Sequence, residues 1–341
     1  MATLTGVTEM VGAVLTRPAV DAEAVAGLLA SSWRIVGELR PLPSERDLNF
    51  AVRVEGVDRF VIKVSNLSED PPFLQMQHAA LALLAGAGVP CQQPVASTTG
   101  ETVLRWAPVS GGVALLVRVL TWLPGRPLSA VAPAARSATL LEDLGTTMGR
   151  TARALGGFDH PAAHRTFQWE ASQGLDVVRG HAAAVTDPDR AALLARWQER
   201  LAYLVTVMPA LRHGVIHNDA NDNNVLVSDD GRSISGLLDL GDAVHSIVVN
   251  ELAVAAAYAA LDAPEPLGVI DAVRRGFERE LPLTTEEFAS LVDLVALRLC
   301  TSVALSAHQS RLAPDDPYLT ISERPAWNLL AELERRQAAS A

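Results

Sequence analysis

Val215-Ile216-His217-Asn218-Asp219-Ala220-Asn221-Asp222-Asn223-Asn224-Val225-Leu226-Val227 passes from apolar to polar and back to apolar within thirteen residues. Branched apolar residues at both ends predict two short strands, and the Asn/Asp run between them predicts a tight loop. Fifteen residues after Asn224 comes Asp239, inside Leu237-Leu238-Asp239-Leu240-Gly241-Asp242. A strand–loop–strand unit followed by this second acidic turn lets Asp219, Asn224 and Asp239 converge on one edge. Turn chemistry accounts for Asp and Asn in a loop, but not for a second acidic D-x-G segment at this distance.

These residue types suit phosphoryl transfer, in which the protein supplies few groups but must place them accurately. A carboxylate beside the attacking hydroxyl serves as base, and that is Asp219. Oxygen ligands must hold Mg²⁺ on a nucleotide triphosphate, and those are Asn224 and Asp239. His217 reads either as a catalytic acid or base or as a brace for the loop; the brace is preferred, because Asp219 already provides the carboxylate. Asp242 and Asn221 either touch metal or substrate or satisfy loop backbone.

Outward from this segment, helical patterns fill 137–155, 168–184, 188–207, 248–261, 266–280, 285–307 and 324–338. Start signals stand at Asp187-Pro188 and in a Thr284-to-Glu287 capping box. Upstream the character changes. A short helix over 20–31 leads into strand material at Trp33–Leu39. A hairpin joins Asn49–Val54 to Arg59–Val64 through Glu55-Gly56-Val57-Asp58, Pro71-Pro72 opens a helix through Leu84, and further strands cover 101–106 and 113–122. The boundary is expected near 120–125, giving domains 1–122 and 123–341.

The 215–242 segment resembles the catalytic loop and metal motif of the aminoglycoside phosphotransferase superfamily, H-G-D-x-x-x-x-N followed by D-F-G-D. More narrowly, the H-N-D-A-N-D-x-N run, the G-L-L-D-x-G-D-A-V-H run and Pro317-Tyr318-Leu319 resemble hydroxylysine-kinase-like phosphotransferases, a module also found fused to aminotransferases. The resemblance implies an α+β, bilobal protein-kinase-like fold, with a small antiparallel-sheet N-lobe carrying one main helix and a larger, mostly helical C-lobe. It also makes His217 a scaffold residue. Lys63, in Val61-Ile62-Lys63-Val64, matches the nucleotide-gripping lysine, a solvated strand lysine being the alternative. Ser44 through Asn49 occupy the place of the phosphate-covering loop, without its glycines. Val119 to Trp122, with Val119 and Thr121 foremost, take the place of the hinge that meets the purine through backbone groups. Two positions depart from the pattern: Gln77 stands where a Glu would pair with the lysine, and Leu240 replaces Phe.

The implied activity transfers the γ-phosphate of ATP or GTP, with Mg²⁺, to the hydroxyl of an amine-bearing small molecule, best matched by 5-hydroxylysine. Asp222, Asp242 and Glu251, close to the loop in sequence, are candidates to receive an ammonium group. Aminoglycoside, choline, ethanolamine or homoserine kinases share the same chemistry. A nucleotide-binding pseudokinase is kept open by Gln77, though Asp219, Asn224 and Asp239 argue against it. H-R-D, A-P-E and a Gly-rich loop are missing, which argues against a protein kinase.

Bulk properties agree. The 341 residues are 49% apolar, 20% charged and 5% aromatic, with a net charge of −11. No basic footprint for nucleic acid or a membrane surface is present. Only Cys91 and Cys300 occur, far apart, which argues against a disulfide framework or a zinc site and fits a reducing compartment. The N-terminus lacks a signal-peptide pattern, and the apolar run Ile247–Leu261 is too short and too polar at Asn250 and Glu251 to span a bilayer. A cytoplasmic location is expected; the oligomeric state is left open.

Overall fold

The computed structural model describes residues 17–44, 47–108, 112–312 and 322–338. Glu45 and Arg46 of the expected phosphate loop, and the Pro317-Tyr318-Leu319 run, lie outside the described residues. The chain divides into two units: the described residues through Ala85 with Cys91–Pro124, and Gly86–Pro90 with the residues from Gly125 onward.

The first unit is an antiparallel sheet in the order β1-β2-β3-β6-β4, built from β1 (Glu38–Leu42), β2 (Leu48–Val54), β3 (Val57–Val64), β4 (Pro94–Val95) and β6 (Leu115–Thr121), with β5 (Leu104–Trp106) also on β6. The β2–β3 turn is shorter than expected. Glu55 and Gly56 both take positive φ, 51° and 81°, so two residues close the hairpin and Val57 and Asp58 are already strand.

Alternation divides the sheet into two chemically distinct faces. Phe50, Val52, Ile62, Val64, Val117 and Val119 form one core with Val25, Leu29 and Trp33 of α1 (Ala22–Trp33). Trp33 therefore ends a helix, capped by Arg34 in the left-handed region, rather than beginning a strand. On the opposite face Asn49, Lys63 and Arg118 stand side by side across β2, β3 and β6. Arg118 donates at 2.6 Å to Gln77 of α2 (Pro71–Gly86).

The second unit is mainly helical: α3 (Ala138–Leu155), α4 (Gly174–His181), α5 (Pro188–Leu201), the short α6 (Leu204–Val207), α7 (Val249–Ala259), α8 (Pro266–Glu278), α9 (Thr285–Leu312) and α10 (Glu323–Ala338). Asp187 caps α5 through the Arg190 amide, with Pro188 in the first turn. Thr284 and Glu287 cap α9 reciprocally: each backbone N–H donates to the other's side chain, at 2.9 and 3.2 Å. Helix α7 is buried around its whole circumference, which explains the apolar run Ile247–Leu261. Helix α9 is long and apolar enough, by length and composition, to cross a membrane, yet 78% of its most apolar window is buried in the protein.

Helices α3 and α8 meet backbone to backbone. A Cβ on Gly276 would lie 1.9 Å from the Glu142 carbonyl, and one on Gly145 would lie 1.8 Å from the Val273 carbonyl. A methyl group there must push the helices apart. Gly276→Ala is expected to destabilise the protein by about 1–3 kcal/mol and lower Tm by several degrees. Gly180→Ala, which meets nothing within 4 Å, is the control and should leave Tm unchanged or slightly raised. Thermal unfolding checks both; equal Tm values would show that α3 and α8 do not pack this closely.

Candidate active site

The polar loops of the second unit hang from two short ribbons. In one, β8 (His213–Ile216) pairs with β11 (Val244–Ile247); in the other, β9 (Val225–Val227) pairs with β10 (Ile234–Leu237) and, on its other side, with the two-residue β7 (Arg126–Pro127). The register sets Ile216 opposite Val244 and Val225 opposite Leu237. The loops 217–224 and 238–243 therefore start and finish side by side.

Buried polar groups then lock the loops together. Leu238 donates its N–H to the Asn224 carbonyl at 2.8 Å, and its own carbonyl accepts from His217 Nε2 at 2.8 Å. The other ring nitrogen of His217, Nδ1, accepts the Asp219 N–H at 3.2 Å. These partners assign the Nε2–H tautomer. Burial pushes the His217 pKa down, so the ring is neutral. His217 is thus a brace for both loops.

Glu251 is only 1% exposed, and its Oε2 accepts the His217 backbone N–H at 2.6 Å. Against the expectation that it receives substrate, its carboxylate is turned into the protein, with Oε2 on loop backbone and Oε1 buried without a hydrogen-bond partner. Asn218, also fully buried, donates to the Trp169 carbonyl at 3.2 Å and accepts from Asn250 at 3.0 Å. Asn218 and Asp239 have φ of 66° and 57°, a left-handed conformation that Asn and Asp tolerate best among residues with a Cβ.

The bracing presents Asp219. Its Oδ2 accepts from Asn224 Nδ2 at 2.7 Å, its Oδ1 accepts from Arg298 at 3.0 Å, and Asn221 Nδ2 donates to both oxygens at 3.0 Å. The side chain keeps 20% of its surface open. Burial first, and then the Asp242 carboxylate, push its pKa up, while Arg298 and Asn221 act the other way. Asn221 also accepts the Asn223 and Asn224 backbone N–H groups, so it shapes the loop and holds the carboxylate. Asp239 Oδ1 accepts the Gly241 N–H at 2.9 Å. Asp222 is half-buried beside Arg136, and its carbonyl accepts from Ser129, away from these contacts.

In the first unit, Lys63 is buried at 7% exposure on the polar sheet face. Gln77 bonds to Arg118, and Asn49 carries a buried Oδ1 without a hydrogen-bond partner. Ser44 accepts the Asp47 N–H through its hydroxyl. Val119 and Thr121, expected to meet the purine, have backbone groups engaged within the first unit. Val119 is paired on both sides, to β3 and β4, and its side chain lies in the core under α1. Thr121 gives its N–H to the Gln93 carbonyl and its carbonyl to Gln92 Nε2. Sequence reading missed Arg298 and Arg118. Each is a lone charge in an apolar run, and a buried charge must find a partner.

Residues 38–288 match the phosphotransferase enzyme family. The hydroxylysine kinase of Danio rerio is 30% identical over 313 residues, covering 86% of this chain and 86% of its own. That of Mus musculus is 29% identical over 326 residues, covering 87% and 85%. Similar solved structures include an amicoumacin kinase in complex with AMP-PNP, Ca²⁺ and Ami (TM-score 0.69, 17% identity, 92% of this chain and 94% of that one). Another is a microcompartment-associated aminopropanol kinase (TM-score 0.69, 18% identity, 94% and 98%).

Burial pushes the Glu251 carboxyl up from 4.5 to about 7, against the loop N–H bonds that favour its ionised form. An acid whose folded pKa is raised binds its proton more tightly when folded. Its contribution to stability is complete below about pH 4.5 and is lost as pH rises toward 7. Wild type should therefore lose roughly 2–4 kcal/mol more than Glu251→Gln across that window. Urea unfolding at pH 4.5, 5.5, 6.5 and 7.5 reads the difference, and parallel curves would contradict it.

Proposed function

From the premise that the chain belongs to the phosphotransferase enzyme family and acts on hydroxyl groups, we propose that it transfers the γ-phosphate of ATP or GTP to an amine-bearing alcohol, 5-hydroxylysine foremost. The observation that carries this reading is the Asp219 carboxylate, held by Asn221, Asn224 and Arg298 yet still partly open. A carboxylate so held can orient an acceptor hydroxyl and take its proton as the oxygen attacks phosphorus. The bond from the γ-phosphorus to the bridging oxygen then breaks, and nucleoside diphosphate leaves.

The residues fit a hard divalent cation. Asn224 spends its amide nitrogen on Asp219, which leaves its carbonyl oxygen for a metal. Asp239 and Asp242 both raise the Asp219 pKa, so negative charge gathers there in excess. Among the described residues no three His, Cys, Asp or Glu side chains gather as a metal cage. Mg²⁺ is proposed to be held by Asn224, Asp239 and the nucleotide's own oxygens. Bound there, the cation would neutralise charge on the phosphates.

In the first unit, Lys63 is proposed to grip the nucleotide phosphates, with Ser44 and Asn49 beside them. Gln77, engaged by Arg118, stands in no ion pair of its own. For the acceptor, Asp242 and Asp222 are the candidates left to meet an ammonium group. The hydroxylysine kinases, alike over most of both chains, support the choice of acceptor.

Asp219→Asn keeps the shape of the side chain but removes the proton acceptor. Turnover should fall at least about 10²–10⁴-fold while Mg-nucleotide binding measured by calorimetry persists. Normal turnover would sink the mechanism. Across acceptors, kcat/KM should be higher for 5-hydroxylysine than for any neutral polyol of similar size. Equal rates would refute an amine-bearing acceptor, and activity confined to kanamycin-like compounds would replace hydroxylysine by an antibiotic.

A further inference from the structure

Arg298, on α9, is 94% buried, being 6% exposed. Its Nη2 donates to Asp219, and its guanidinium lies 4.3 Å from the Trp169 ring and 5.6 Å from that of Tyr258. Nε and Nη1, which carry three of the five guanidinium N–H groups, have no hydrogen-bond partner. Leaving buried donors of a charged group unpaired is costly, and a residue needed only to hold Asp219 has no use for them.

Arg298 lines a small cavity with Trp169, Asn250, Leu297 and Thr301. One carboxylate, that of Glu170, lies in the same lining, but it is already engaged by Ser246 and Ser172. The guanidinium is shared with Asp219 on one edge, and its Nε and Nη1 donors are left without an acceptor. Its place relative to the reaction is also defined. Asn224, the proposed metal ligand, contacts Oδ2 of Asp219, whereas Arg298 contacts Oδ1. Arg298 thus holds the oxygen of the base that Asn224 does not.

We infer that Arg298 recognises a carboxylate on the acceptor, so that the substrate is a hydroxylated amino acid rather than a simple amino alcohol. This rests on the reading of Asp219 as the base of an alcohol kinase. Guanidinium and carboxylate pair through charge-assisted hydrogen bonds, and Arg is the side chain whose planar donors match that group. Two carboxylates, that of Asp219 and that of the acceptor, then share one cation. A carboxylate on Arg298 and a hydroxyl on Asp219 are separated by two hydrogen bonds and part of the guanidinium, roughly 6–8 Å. The hydroxyl must then stand several carbons from the carboxylate, which a β-hydroxy acid such as serine does not provide.

The test compares kcat/KM for 5-hydroxylysine, its carboxamide and its decarboxylated analogue 1,5-diaminopentan-2-ol, in wild type, Arg298→Gln and Arg298→Lys. Wild type should prefer the free carboxylate by about 10–100-fold, mostly through KM. In Arg298→Gln that preference should vanish, and in Arg298→Lys part of it should remain. An equal loss on all three acceptors would overturn the inference, because Arg298 would then act only through Asp219. Wild-type indifference to the carboxylate would also overturn it, yet would leave the alcohol kinase standing. Phosphorylation of neutral polyols alone would bring down both readings. Thermal unfolding identifies a variant that does not fold, in which case the wild-type ratio and Arg298→Lys decide.

Discussion

A neutral imidazole buried between two loops is the constraint on which the site depends. His217 donates through Nε2 to Leu238 and accepts through Nδ1 from the Asp219 N–H. Only the neutral ring has one donor and one acceptor; a proton on Nδ1 would set two donors face to face. The same residue's backbone N–H is held by Glu251, so one position ties α7, the loop 217–224 and the loop 238–243 together. The left-handed turns at Asn218 and Asp239 persist because such bonding surrounds them. A catalytic carboxylate is useful only if its position is determined, and here that position follows from groups that never meet a substrate.

Charge is distributed with the same economy. Asp219, Asp239 and Asp242 lie near enough for the latter two to raise the pKa of the first, and Arg298 is the cation that opposes them. The excess favours a divalent cation on the Asn224 side, while the unpaired donors of Arg298 favour an anion on the other. In the first unit, one sheet face is a hydrophobic core and the other carries Asn49, Lys63 and Arg118 in register. Like charges directly opposite each other on neighbouring strands are unfavourable, so this arrangement also suits an anionic ligand.

Much of this was legible before any coordinates. The grouping of Asp219, Asn224 and Asp239 could be expected because the switch from apolar to polar and back is local, and strand pairing sets their two loops side by side. Caps at Asp187 and Thr284 were legible for the same reason. Arg298 lies 79 residues from the carboxylate it holds, and only tertiary packing joins them. Glu251 was misread because nearness in sequence to the loop was taken for nearness to substrate, whereas a helix in the core turned it onto backbone. Val119 and Thr121 show a different limit: a backbone group leaves no trace in its side chain, so sequence could not tell that Gln92, Gln93 and β4 pair with theirs.

The central claim is that one braced carboxylate stands between a metal ligand and an anion-binding arginine. A crystal structure with Mg²⁺, a non-hydrolysable ATP analogue and 5-hydroxylysine tests it most directly. The account predicts the cation on Asn224 Oδ1 and the Asp239 carboxylate, the acceptor hydroxyl on Asp219 and the acceptor carboxylate on Arg298. A cation bound elsewhere, or a hydroxyl out of reach of Asp219, would contradict it.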